Sequence, residues 1–252
     1  MKYYEELSAR PCFTTEDVLE LTGNYDSAMS VISRLTKARY AIKIRKGLYT
    51  CVNPATCTSD ATLFQIASAV TSDSFCSHHT ALTYWGLADQ VYSDVYVSST
   101  SRFSQFEFEG NRYVRVAPSF KDSAGIIVPF MNPNVRVTDK ERTVLDCIAD
   151  MDKISGFEEV YSALQLVHSL SEENLMKYLP LYGSQFIWQK AGFLLTTLQS
   201  KANRLVSDDF LMHCKKKTGK SKRYLSSRMK CSVFVPDWNL YVPDILDLKN
   251  GG

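Results

Sequence analysis

The sequence has little of what metal and redox sites are built from. Four histidines are spread over 252 residues, and two of them, His78 and His79, are adjacent. Neighbours in sequence do not face one another on a helix, so they make a poor metal pair. The seven cysteines, Cys12, Cys51, Cys57, Cys76, Cys147, Cys214 and Cys231, are odd in number, and none has the spacing of a zinc knuckle. Free thiols in a reducing compartment are the expectation, with the cytoplasm as the default location. No run approaches the eighteen or so apolar residues that span a bilayer. The opening stretch Met1–Glu6 carries acids and no apolar core, which is not the pattern of a signal peptide. Thr218-Gly219-Lys220-Ser221 lacks the glycine-rich lead and preceding strand of a Walker phosphate loop. Neither a metal, a cofactor nor a membrane partner is expected.

An excess of one charge sign is also missing: 29 Lys and Arg stand against 27 Asp and Glu, a formal net charge of +2. The distribution is less even. From Ser27 to Thr50 there are six basic residues and no acid. Between Gln199 and Cys231 there are ten basic residues against Asp208 and Asp209, while residues 51–198 hold ten basic and sixteen acidic ones. Two cationic regions flanking an acidic middle suit a polyanionic partner. With 45% hydrophobic and 22% charged residues, the chain reads as a soluble globular protein long enough for more than one folded unit.

The first fifty or so residues carry the clearest pattern. Residues 2–9 form a short helix candidate. Thr14 is placed to cap a helix, with Asp17 at its third position and Phe13 and Val18 at the spacing of a hydrophobic staple. Gly23 permits the left-handed turn that ends it. A second helix is expected from about Asp26 to Arg39, with Ala28, Val31, Ile32 and Leu35 inward. Ser27, Ser30, Arg34 and Lys37 fall on another face, short enough or cationic enough to approach a DNA groove. Ile42–Thr50 then alternates apolar and basic residues around Lys46-Gly47, the pattern of a hairpin with Ile42, Ile44 and Leu48 inward and Lys43, Arg45 and Lys46 projecting. Together these predict a winged helix-turn-helix that binds duplex DNA, over residues 1–54.

Residues 55–252 read as a second, α+β domain. A helix is expected at 60–70, and another from a Ser77 cap to Trp85, stopped by Gly86. Strand patterns occur at Asp94–Ser99, around a Gly110-Asn111 turn, at Ile126–Phe130 and at Val135–Val137. Helices are expected from Asp139, over Phe157–Val167, Glu172–Tyr182, Gln185–Leu198 and Asn203–Met212, with short strands at Cys231–Val235 and Asn239–Val242. Strands followed by helices imply a mixed core and not a βαβ repeat. The basic sub-region 199–231 contains Lys215, Lys216, Lys217, Lys220, Lys222 and Arg223, which read either as a solvated loop or as further phosphate contacts.

Several segments resemble AbiEi-type antitoxins, the transcriptional regulators of type IV toxin–antitoxin (abortive infection) systems. They are Phe13–Asp17, Val31–Leu35, Ile44–Tyr49, Ser77–Leu82 with Tyr84–Leu87, Asp139–Asp146 and Gly156–Val160, in that order. The second histidine and Trp85 vary from the family pattern, and the match weakens beyond residue 200. The resemblance implies a repressor without enzymatic activity that acts on promoter inverted repeats, with self-association on DNA. It also implies that the protein counteracts a nucleotidyltransferase-like toxin without a stable complex.

Two other readings stand beside it. Asp139, Glu141 and Asp146 place three acids in eight residues, a candidate metal site for a nuclease or nucleotidyl-transfer enzyme, although such sites usually draw carboxylates from separate elements. The acidic middle is alternatively a surface that holds a protein partner.

Overall fold

A computed structural model describes residues 2–53, 56–88, 92–154, 156–199, 204–229 and 232–244. The fold is mixed helix and sheet, in two compact units. The first comprises Met1–Cys76, Tyr92–Pro118 and Ile127–Val137; the second comprises Ser77–Val91, Ser119–Ile126 and Thr138–Gly252.

The first unit begins with α1 (Tyr4–Ser8), β1 (Phe13–Thr14), α2 (Thr15–Thr22), α3 (Tyr25–Lys37), β2 (Ala41–Arg45) and β3 (Leu48–Cys51). At the start of α2 the Thr14 hydroxyl accepts the Asp17 N–H at 3.1 Å, and the Asp17 carboxylate accepts the Thr14 N–H at 2.6 Å. This reciprocal pairing satisfies two N–H groups that the helix itself cannot. Gly23, at φ +79°, closes α2. Asn24 then caps α3 by accepting the Ser27 N–H at 2.8 Å, one residue earlier than the composition suggests. Leu7, Phe13, Val18, Ala28, Val31, Ile32, Leu35 and Tyr49 form a core within these elements. The three strands pair antiparallel in the order β1-β3-β2.

The hairpin departs from the expected alternation. Its register shifts between Lys43 and Arg45, which leaves Ile44 as the extra residue of a bulge. Ala41 and Ile44 are therefore buried, whereas Ile42 is half-buried. Gly47, at φ +80°, makes the turn and accepts the Thr15 N–H at 3.1 Å.

The same unit continues with α4 (Leu63–Ala69), β4 (Phe75–Cys76), β5 (Asp94–Ser98), β6 (Phe106–Phe108) and β7 (Asn111–Val116), and includes Ile127 of β8 (Ile126–Ile127) and Val137 of β9 (Val137–Thr138). The sheet order is β6-β7-β5-β4-β9-β8. β5 runs parallel to β7 and β4 to β9, while β4–β5 and β6–β7 are antiparallel. The β6–β7 turn lies at Glu109-Gly110, both with positive φ, one residue before the expected position. Two consecutive left-handed residues match the twist of a two-residue hairpin. β8 stops at Ile127, short of the expected strand to Phe130, because Pro129 has no N–H to donate.

The domain boundary expected after residue 54 does not coincide with the units. Residues beyond it pack with the N-terminal elements: the Arg45 guanidinium lies over the Phe103 and Phe106 rings, 5.4 Å from each centroid. Hydropathy along the chain carries no trace of these contacts, because their partners are fifty or more residues apart.

The second unit contains α5 (His78–Tyr84), α6 (Lys140–Ile154), α7 (Phe157–Gln165), α8 (Glu172–Tyr178), α9 (Gln185–Leu198), α10 (Asp208–Lys217), β10 (Arg223–Tyr224), β11 (Ser232–Val235) and β12 (Leu240–Pro243). Leu145, Ile148, Leu164, Leu175, Leu194 and Leu240 are among its fully sealed side chains. A Cβ at Gly192, in mid-α9, would stand 2.2 Å from the Trp238 ring, so glycine is required there for the indole to pack. α10 starts after a Ser207 cap and runs through Lys217, further than the expected end at Met212. Lys215, Lys216 and Lys217 thus occupy a helix C-terminus, where cations are favoured by the backbone dipole. The expectations at Asn203 and Cys231 fall outside the described residues.

Candidate nucleic-acid interface

Helical geometry puts Ser27, Ser30, Arg34 and Lys37 within an arc of about 80° on α3. Ser30, Arg34 and Lys37 are exposed and Ser27 is half-buried, opposite the buried Ala28, Val31, Ile32 and Leu35. Asp26, exposed at the helix start, lies beside this arc. Tyr25, 61% exposed, and Met29, 38% exposed, are one turn apart on a different side of the helix, Tyr25 about 180° from Arg34. Large apolar groups held in water are the informative ones. The sequence signal for Tyr25 and Met29 was their place outside the apolar stripe, which periodicity alone marks as surface without assigning a use.

The hairpin exposes Lys43 and Lys46. Arg45, expected to project with them, is instead half-buried against Phe103 and Phe106. The bulge at Ile44 shifts the alternation by one and turns this side chain onto the rings, where the cation meets their electron-rich faces. Beside the turn, a cleft of about 590 Å³ is lined by Glu16, Asp17, Arg45, Lys46 and Arg136, which carry both charge signs. Arg136 is committed to the carbonyls of Ser68, at 2.6 Å, Thr71 and Ser72 at the end of α4.

The second basic group belongs to the other unit. Lys216, Lys217, Lys220, Lys222 and Arg223 are exposed, and Lys215 pairs with Asp237 at 2.9 Å. The Lys222 ammonium lies 4.7 Å from the Phe234 ring centroid, and the Arg223 guanidinium lies 5.1 Å from that of Phe186.

The acids of the candidate metal site are used one by one in the second unit. Asp139 accepts the Arg142 N–H at 2.8 Å and the Tyr178 hydroxyl at 2.6 Å. Glu141 accepts the Ser171 N–H at 2.7 Å, and Asp146 accepts the Tyr182 hydroxyl at 2.7 Å. Arg142, 1% exposed, lies 3.6 Å from Asp146 and donates to the carbonyls of Asp122 and Ala124 while covering the Phe120 ring. Burial raises the Asp139 carboxyl above its ordinary range, against the lowering by Tyr178. Among the described residues no group of three or more His, Cys, Asp or Glu side chains is placed to hold a metal.

Ser77 does not cap α5 with its side chain; its hydroxyl lies 2.7 Å from His78 Nδ1, and His78 Nε2 lies 3.5 Å from Asp150. A hydroxyl, an imidazole and a carboxylate in series have the order of a hydrolase relay. Here Ser77 and His78 are sealed from solvent, and His78 takes a left-handed φ of +53°. His79 faces Glu159 at 3.0 Å, and burial lowers its imidazole to about 4. The six described cysteines are free, and burial pushes the Cys12, Cys76 and Cys214 thiols up to about 12, far from nucleophilic. No helix among the described residues is long and apolar enough to cross a membrane.

No protein-family model matches the chain, and no match is found among curated proteins. The fold is similar to the crystal structure of the RV2827C protein from Mycobacterium tuberculosis, with a TM-score of 0.62 over 96% of this chain and 90% of that one, at 16% sequence identity.

Proposed function

We propose that α2, α3 and the β2–β3 hairpin are a winged helix-turn-helix, and that the protein is a transcriptional repressor that binds duplex DNA through it. The observation that carries this reading is the outer face of α3: Ser30, Arg34 and Lys37 stand exposed on a helix that is capped at Asn24 and seated on its own core. Residues 27–50 contain six cations and no acid, a local excess that attracts phosphates even with Asp26 exposed at the helix start. Short serines let the helix approach base edges. Lys43 and Lys46 supply backbone contacts from the hairpin, whereas Arg45 acts by holding the hairpin on Phe103 and Phe106.

The circuit is read from the resemblance to AbiEi-type antitoxins: autoregulation of a toxin–antitoxin operon at promoter inverted repeats, and counteraction of a nucleotidyltransferase-like toxin without a stable complex. The engagement of Asp139, Glu141 and Asp146 in separate protein hydrogen bonds supports a scaffold role for them over a metal-dependent nuclease.

Footprinting on the DNA upstream of the protein's own gene tests the DNA reading. Protection of inverted repeats is expected, weakened about tenfold or more by joint Arg34→Ala and Lys37→Ala substitution. Affinity should fall with salt by about 0.9 log unit per log unit of salt for each phosphate neutralised. A wild-type protein that leaves this DNA unprotected at low salt overturns the proposal.

A further inference from the structure

In the second unit, β10, β12 and β11 form a three-stranded sheet in that order, with β10 at an edge. Tyr224 on β10 is in register with Tyr241 on β12, which is in register with Phe234 on β11. Residues in register share a face, and the three rings form a row: Tyr224 and Tyr241 are stacked at 4.8 Å, and Phe234 and Tyr241 lie 5.0 Å apart. Leu240 and Val242, flanking Tyr241 in β12, are fully buried on the opposite face. The aromatic row is therefore the outer face, and Tyr224, 58% exposed on the edge strand, is its open end.

One cation touches this row, and others lie on the segments tied to its sheet. Lys222, two residues before Tyr224, reaches across to the Phe234 ring. The Lys215–Asp237 pair ties the C-terminus of α10 to the turn between β11 and β12. The Asn239 side chain donates to the Gly219 carbonyl at 3.2 Å, which holds the loop carrying Lys220 against the same turn. Lys216, Lys217 and Lys220 are exposed, and the one acid in that turn, Asp237, is already paired.

We propose that this face is a binding site for single-stranded nucleic acid. A base extends the ring stack on Tyr224, and the neighbouring phosphates lie against Lys216, Lys217, Lys220 and Lys222. A ring stack with an open end recognises the π-face that every unpaired base presents and that a duplex buries in its own stack, while the lysines supply the phosphate attraction. Charge alone would serve any polyanion; the exposed end of an aromatic row selects unpaired bases. This site does not rest on the duplex-binding reading, since its residues and its unit are different.

The test uses the full-length protein carrying Arg34→Ala and Lys37→Ala, which silences the proposed duplex face. Fluorescence anisotropy follows its binding to labelled single strands of about twelve nucleotides, as RNA and as DNA, and to the matching duplex. Binding of a single strand in preference to the duplex is expected. Tyr224→Ala should weaken it about tenfold, and Tyr224→Phe should restore it. Lys220→Gln with Lys222→Gln should flatten its salt dependence. Tyr224 is exposed, so its variants should melt at the unsubstituted temperature, which a thermal scan checks. A preference for RNA or for DNA identifies which single strand the site takes. Absent single-strand binding, binding unchanged by Tyr224→Ala, or equal binding of the duplex would each overturn the proposal.

Discussion

Arg34 and Arg142 are arginines on amphipathic helices, each in a stretch rich in charge, and their surroundings are opposite. Arg34 stands exposed on α3 with its side chain in water. Arg142 on α6 is 1% exposed, closed in by Asp146, two backbone carbonyls and the Phe120 ring. The first is a charge available to a partner. The second is a cation whose hydration has been replaced by protein groups, which costs several kcal/mol unless every partner stays in place. A local window of sequence shows the same chemistry in both.

Removing the buried cation should break the contrast most visibly. Arg142→Ala strands Asp146 and two carbonyls in the interior, and a loss of about 3–5 kcal/mol in urea unfolding is expected. A loss below about 1 kcal/mol would show that Arg142 is not an interior tie. Asp73 lies between the two extremes. It is half-buried and accepts the Thr100 N–H at 2.7 Å, the Ser101 N–H at 3.2 Å and the Ser99 and Thr71 hydroxyls at 2.8 and 2.9 Å. Burial alone would raise this carboxyl, but the donors from Thr100, Ser99, Ser101 and Thr71 outweigh it and hold it well below the usual carboxylate range. Its stabilisation is therefore complete above the unfolded value near pH ~3.9 and is lost as pH falls below that toward the depressed native value. Asp73→Asn should cost about 1–3 kcal/mol at neutral pH and less in acid, measured by denaturation across pH. The smallest effect on stability is expected for Arg34→Ala with Lys37→Ala, within about 0.5 kcal/mol of the unsubstituted chain. Comparable losses for this pair and for Arg142→Ala would erase the distinction between a reading face and a scaffold.

Local patterns were readable where neighbours in sequence supply the physics. The Thr14–Asp17 capping box, the Gly23 stop, the apolar stripe of α3 and the whole extent of α9 follow from side chains reaching a few residues along their own helix. Failures came where a distant partner decides or where one local partner displaces another. Alternation in Ile42–Thr50 gave way to a bulge at Ile44, and Arg45 turned onto rings near residue 105. Lys215, Lys216 and Lys217 joined α10, whose start moved to the Ser207 cap. Ser77 bonded to His78 in place of a helix N–H.

The order of the N-terminal elements and the cationic character of residues 27 to 50 are legible residue by residue, because helix periodicity, caps and the absence of acids there are local properties. Tertiary structure alone decided which charges remain in water. It buried Arg142 and the acids around it, placed Arg45 on Phe103 and Phe106, and aligned Tyr224, Tyr241 and Phe234 across three strands. Burial and strand register depend on segments far apart along the chain, and no window of neighbouring residues contains them.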